Sequence, residues 1–355
     1  MKMDKIFTGL KIATTLLENN GKFNADVIFT AVFDHRLSSE TSHKEKWEYV
    51  LALNHDDFPA LAKYETVSFL SGNNNLKGYL YKVDRPKGLI LYVHGIGSNA
   101  FDWYAIGQNE WVLRGYCVFA IELTASGSSQ GYGIPSLSQS ALDVAAAVSY
   151  IQSRHDLKHL PLFLFGHSWG GYGVVAANHF IKGVKAVASL SGFACPVDEM
   201  IGLPEAKLAG IKLGDTKPLE EALIKRAGEY ANLSAVEAIR SSRVPFFIAH
   251  GGEDHTVPYV QASILNKAKG LTNVTPMFFK NRDHVNIFLD AYSCQKRDEA
   301  MELTRKMQEK YGNNFASFNE TTKAEILQQY DRAGCSNVNK TLFDAIDAFY
   351  MAHCR

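Results

Sequence analysis

Short apolar runs, each separated from the next by a helical stretch or a turn, constrain this chain more than any other feature. Residues 88–94 read Gly-Leu-Ile-Leu-Tyr-Val-His, and similar runs fall at 116–123, 161–165, 184–190 and 244–250. Unbroken apolarity over so few residues is what a strand buried on both faces requires. Helical periodicity occupies 137–153, 169–181 and 260–268. Strand, helix, strand, helix predicts an α/β class: a mostly parallel twisted sheet with helices on both faces. Ahead of this rhythm, 64–70 and 78–83 are strand-like, and Ser71-Gly72-Asn73-Asn74-Asn75 joins them as the turn of a hairpin.

Two segments break the rhythm. Residues 192–240 separate two strands and far exceed an ordinary connection, so a short helical cap is predicted at 193–243, with one helix near 219–230. After Cys294, charged amphipathic helices are predicted near 297–311, 321–333 and 342–352. The first part of the chain reads as helical, beginning with an amphipathic helix over 1–17 that lacks the features of a signal peptide. The polar stretch 35–47 is expected to pack or cover rather than react. The 355 residues would allow about two domains. The expected organisation is instead an N-terminal helical extension (1–63), one catalytic domain (64–292) and a C-terminal helical extension (293–355) packed on it.

Composition narrows the partners. Lys plus Arg and Asp plus Glu both number 37. A balanced chain has no global field for a polyphosphate backbone, so no nucleic acid is expected. The five cysteines are scattered, odd in number and without a CxxC pair. Free thiols in a cytoplasmic setting are expected, not a disulfide framework or a cysteine zinc site. No apolar run reaches about 18 residues, so no membrane span is expected. Oligomeric state is left open.

The chemistry is written in Phe165-Gly166-His167-Ser168-Trp169-Gly170-Gly171, a G-x-S-x-G directly after an apolar run and directly before a helix. Such a turn strains the serine and exposes its hydroxyl, and the helix N-terminus beneath adds partial positive charge. A serine hydroxyl also needs a base, and the base needs an orienting acid. Asp254 follows the run ending at His250-Gly251-Gly252, and His284 follows the strand-like 274–280. Both stand at the carboxyl ends of predicted strands, where open α/β sheets place their sites.

The order Ser168, Asp254, His284 and its contexts resemble the α/β-hydrolase superfamily, in its serine esterase and lipase-like branch, over roughly residues 64–292. The resemblance implies Ser168 as nucleophile, His284 as general base and then acid, and Asp254 as orienter of the imidazole. His94-Gly95-Ile96-Gly97 is similar to the family's His-Gly loop, which implies an oxyanion hole from the backbone N–H groups of Ile96 and Trp169. The family's Asp-x-Arg-Gly-x-Gly-x-Ser pattern is degraded to Glu122-Leu-Thr-Ala-Ser-Gly-Ser-Ser129, where only Gly127 and Ser129 match.

His94, Gly95, Gly97, Trp103, Phe193 and Met200 are expected around the substrate, with His94 also readable as an anchor of its loop and Trp103 and Trp169 as core. Asp198 is a rival acid, and Asp283 and Glu253 are weaker ones. No metal or cofactor is expected, because His94, His167, His250 and His255 lack ligand spacing. The expected reaction is hydrolysis of a small, neutral carboxylic ester. An amidase or aminopeptidase, with Glu199 or Glu205 receiving the amine, and an acyltransferase would use the same residues. A non-catalytic module on the same fold would not need all three.

Overall fold

A computed structural model describes residues 24–40, 42–202 and 216–354. The amphipathic 1–17, together with Leu203 and Glu205 of the cap, lies outside these residues.

Eight strands form one sheet in the order β1-β2-β4-β3-β5-β6-β7-β8. The hairpin pairs β1 (Glu65–Ser71) with β2 (Asn74–Tyr81), antiparallel, and β2 joins β4 (Cys117–Ile121) in the same sense. Every later pairing is parallel: β3 (Leu89–Val93) lies between β4 and β5 (Leu162–His167), followed by β6 (Val184–Leu190), β7 (Phe246–Gly251) and β8 (Val274–Phe279). All residues of β3, β4, β5 and β7 are buried, which is why these strands read as continuous apolar runs.

The helices described are α1 (Asp26–Val32), α2 (Ala105–Leu113), α3 (Gln139–Ser153), α4 (Trp169–Ala176), α5 (Pro196–Met200), α6 (Lys217–Ala227), α7 (Ala235–Ser241), α8 (Ile264–Lys267), α9 (Ala291–Tyr311), α10 (Glu320–Leu327) and α11 (Lys340–Ala352). Alternate side chains of the strands feed two cores. Leu91, Phe119 and Leu164 join residues of α3 and α4 on one face, while Ile90, Tyr92 and Phe165 join Trp111 of α2 and Phe343 and Tyr350 of α11 on the other. The fold is that of an α/β hydrolase.

Local departures from the expected elements have visible causes. The helix expected over 260–268 shrinks to α8, because Ser263 is extended, pairs with Phe193 in a β-bridge and caps the helix by accepting from Asn266 N–H at 3.1 Å. In place of a helix beginning at 297, α9 starts at Ala291, where the Asp290 carboxylate accepts from Ser293 N–H at 2.7 Å.

The polar stretch after α1 is a strap. Arg36 donates to the carbonyls of Gly127, Ser129 and Gly131, and Leu37 N–H donates to Ala125. The Ser38 hydroxyl donates to Ser98 at 2.7 Å and accepts from Gly127 N–H at 3.0 Å. It therefore ties the loops after β3 and β4 together. The degraded loop lacks its own arginine, and Arg36 holds it from another part of the chain.

Candidate active site

Ser168 stands between β5 and α4 with φ +57° and ψ −122°. A non-glycine residue in that region is strained, and the surroundings must hold it there. They do so by close packing: a Cβ on Gly166 would lie 2.3 Å from the Gly170 carbonyl oxygen, and one on Gly170 would lie 2.3 Å from that of Val93. Ser168 N–H donates to Leu190 of β6 at 2.9 Å, and its carbonyl accepts the first helical bond, from Tyr172. The result lifts the serine to the sheet's carboxyl edge.

Asp254 follows β7 and His284 follows β8, and the structure brings them together. His284 Nδ1 is 2.8 Å from Asp254 Oδ2. A carboxylate only accepts, so Nδ1 carries a proton, and in the neutral ring that leaves the lone pair on Nε2. Burial pushes the Asp254 carboxyl up, but the His284 hydrogen bond, the imidazole's field and the Val257 N–H outweigh it and hold the group below its ordinary value. Behind it, His250 Nε2 lies 2.9 Å from the Val257 carbonyl and 3.4 Å from Asp254 Oδ2. Burial holds His250 below its ordinary pKa. No hydrogen bond joins Ser168 Oγ to His284 among the described residues.

The rival acids are engaged elsewhere. Asp198 pairs with Lys267 at 2.5 Å, Asp283 accepts from Val285 and Asn286 N–H in its own loop, and Glu253 is exposed.

The loop after β3 approaches the serine closely. A Cβ on Gly95 would lie 3.2 Å from Ser168 Cβ and 2.6 Å from the Tyr104 hydroxyl oxygen, so only glycine fits. Gly97 turns the loop with φ +76°, and Ile96 between them is 40% exposed. The Trp169 N–H is the first of α4, where a helix leaves its N–H groups without an internal partner.

The other expected residues divide. His94 is wholly enclosed: its Nδ1 donates to the Gly95 carbonyl at 2.7 Å and its Nε2 accepts from Leu123 N–H at 3.3 Å. Burial lowers its pKa to about 4, so it is a neutral clip between the ends of β3 and β4 and not a substrate contact. Phe193 and Met200 are likewise core side chains, Phe193 stacked on Tyr172 at 4.4 Å, and neither offers an exposed face. Trp169 donates from Nε1 to the Leu137 carbonyl within the same core. Trp103 is half-buried and stacks on Tyr104 at 4.1 Å. Two open depressions, of about 350 Å³ beside Phe33 and Arg226 and about 410 Å³ beside Phe279 and Arg282, include none of these residues.

Sequence reasoning weighed His167 only as a metal ligand and passed over Tyr104. His167 is buried at the end of β5 with both ring nitrogens bonded, to Tyr104 and to the main chain of His284. Its place inside G-x-S-x-G was visible. Tyr104 carried no signal, since its hydroxyl reaches His167 only through the fold.

Residues 84–218 match the family model described as serine aminopeptidase, S33. The uncharacterized protein YfhR of Salmonella typhimurium is 25% identical over 250 residues, spanning 68% of this chain and 81% of that protein. Among solved structures, the Pyrococcus furiosus esterase Pf2001 is 18% identical with a TM-score of 0.50, covering 69% of this chain and 91% of that one. The Pyrococcus horikoshii acylaminoacyl peptidase is 18% identical with a TM-score of 0.50, over 75% of this chain and 44% of its own. The chain therefore has the α/β-hydrolase fold, and its residues 84–218 are similar to the serine aminopeptidase S33 family. Among the described residues, no helix is long and apolar enough to cross a membrane.

Proposed function

We propose that the protein hydrolyses carboxylic esters of small, uncharged substrates through an acyl-Ser168 intermediate. His284 takes the Ser168 proton as the hydroxyl attacks the ester carbonyl, and Asp254 steadies the imidazolium. The backbone N–H groups of Ile96 and Trp169 receive the oxyanion, each worth about 10² to 10³ in rate. His284 returns the proton to the leaving alcohol and then activates water for deacylation. No metal or cofactor enters the scheme. The observation that carries this reading is the strained Ser168 on the same sheet edge as a His284 whose Nδ1 is bonded to a buried carboxylate. In this reading 64–292 is the catalytic domain, and 1–63 and 293–355 are extensions packed on it. A cytoplasmic location agrees with five cysteines that are all unpaired.

Labelling with a fluorophosphonate tests it. Wild-type protein is expected to label at Ser168, and Ser168→Ala and His284→Ala are expected not to. Absence of wild-type labelling would overturn the reading.

One observation favours a second reading, cleavage of aminoacyl substrates. Glu199 of α5 has a carboxyl oxygen that is buried without a partner among the described residues. Burial first, then the charges of Asp254 and Asp198, raise its pKa to about 8. An ammonium group docked there would restore the carboxylate. Glu199→Gln separates the readings: aminoacyl anilides would lose kcat/KM while aryl esters kept theirs.

A further inference from the structure

We propose that His167 is a positioning residue that fixes the main chain of His284 relative to Ser168, with Tyr104 selecting the tautomer that does so. The inference rests on the serine-hydrolase mechanism proposed above.

His167 is 1% exposed, and neither ring nitrogen is free. Its Nε2 is 2.7 Å from the carbonyl oxygen of His284, and its Nδ1 is 2.6 Å from the hydroxyl oxygen of Tyr104. A carbonyl oxygen can only accept, so Nε2 must carry a proton. Burial, then the neighbouring His284, hold the His167 pKa well below its ordinary value, so the ring is neutral and Nδ1 has only its lone pair. The Tyr104 hydroxyl must then donate. The set is self-consistent: Tyr104 O–H donates to Nδ1, and Nε2–H donates to the His284 carbonyl. With the opposite tautomer, a ring lone pair would face the carbonyl oxygen at 2.7 Å.

The consequence is geometric. His167 precedes the nucleophile directly, and its side chain holds the backbone of the base 117 residues further on. Asp254 holds the imidazole of the same residue at Nδ1. His284 is thus gripped at ring and main chain, from β7 and from β5. The Ser191 hydroxyl, at the end of β6, approaches the same carbonyl at 3.5 Å. Tyr104 extends the grip to the loop that carries Ile96, because its oxygen occupies the space a Gly95 side chain would need. Phe288 closes the group, with its ring centroid 5.1 Å from that of His167 and 5.2 Å from that of Trp103.

A side chain that merely filled space would be replaceable by any other of similar volume. The hydrogen bonds make a different demand, and three variants separate the two. Gln can donate from its amide nitrogen and accept at its oxygen, whereas Leu can do neither. Hydrolysis of p-nitrophenyl butyrate by wild type, His167→Gln, His167→Leu and Tyr104→Phe is the test, with melting temperatures alongside. His167→Leu is expected to lose about 10²-fold in kcat with KM little changed, the scale of a misplaced catalytic group, and Tyr104→Phe about 10-fold. His167→Gln is expected to recover most of the loss. Should His167→Leu fail to fold, Tyr104→Phe removes one oxygen atom and carries the test alone. Full kcat in Tyr104→Phe or His167→Leu, or equal losses in His167→Leu and His167→Gln, would overturn the inference while leaving the serine-hydrolase reading intact. An inert wild-type enzyme would overturn both. The ¹⁵N imidazole shifts of His167 in the wild-type protein give a readout independent of turnover: a protonated Nδ1 would refute the assignment.

Discussion

The sheet's carboxyl edge and the cluster between the two chain extensions are stabilised in opposite ways. At the edge, Ser168 and Ser191 stand at positive φ, His94, His167 and His250 are buried, and main-chain groups supply most of the hydrogen bonds. In the cluster, Trp47, Val50 and Leu51 from the N-terminal side pack on Ala300, Met307, Phe315, Ile326 and Tyr330 from the C-terminal side. The groups around it are solvent-facing ion pairs such as Arg305 with Glu302. A strained, polar edge is expected to lose function when one atom is displaced. An apolar cluster with a charged rim loses only stability.

The sharpest way to break this contrast is to alter each region and read both quantities. Ser168→Ala is expected to abolish hydrolysis, by about 10⁴ to 10⁶ in kcat, and to leave the melting temperature little changed, since alanine keeps the Cβ and the backbone conformation and removes only the hydroxyl. A large fall in melting temperature would show that the serine serves the fold as well.

Phe315→Ala is the converse. Its ring is 1% exposed and lies 5.3 Å from that of Trp47. Removing a buried aromatic ring leaves a cavity and costs about 3 to 5 kcal/mol. Denaturant unfolding should show that loss while kcat/KM per folded molecule stays at the wild-type value. A proportional fall in kcat/KM would join the two regions and break the comparison.

The same contrast explains what the sequence made legible. The buried strands announced themselves because burial on both faces demands unbroken apolar runs, and the elbow because glycines must flank it. Ser168 and the neighbourhood of Asp254 and His284 were therefore readable from order and context. The strap formed by Arg36 and Ser38 was not, since those residues look like ordinary surface polarity until the fold sets them against Gly127 and Ser98. Phe193 and Met200, expected around the substrate, are buried in the core, and apolar side chains in an insertion read the same whether they face a substrate or a core. Histidine is ambiguous in the same way, because the buried clip at His94 and an exposed contact have one spelling.

Glu122, at the end of β4, offers a pH test of the polar edge. Its carboxyl accepts from Ser128 N–H at 2.6 Å, and one oxygen has no partner among the described residues. Burial, opposed by the Ser128 and Ala100 main chain, raises its pKa from 4.5 to about 7. The folded protein therefore holds this proton more tightly than the unfolded chain. The group's contribution to stability is complete below pH 4.5 and is lost as pH rises through about 7. Glu122→Gln cannot titrate. Relative to wild type it should gain stability across that window, by up to roughly 3 kcal/mol. A difference between the two proteins that does not change with pH would show that Glu122 is ionised in the fold.

The smallest expected effect lies at the rim of the cluster. Arg332 donates to the Ala52 carbonyl from Nε at 3.1 Å and from Nη2 at 2.7 Å, and to Asp57 at 3.1 and 2.8 Å, with its side chain 14% exposed. The guanidinium fork meets a carbonyl and a carboxylate at once, which a lysine ammonium cannot reproduce. Arg332→Ala should cost about 1 to 2 kcal/mol, most of it from the largely covered bonds to Ala52 and little from the Asp57 pair, which water and salt weaken. Added salt should therefore leave most of the loss in place, and Arg332→Lys should recover only part of it. kcat/KM should not move. A loss that vanished in high salt would mean that the ion pair, and not the main-chain contact, joins the two extensions. The rim would then be held by screened charge alone, which sharpens the contrast with an edge held by buried hydrogen bonds to the main chain.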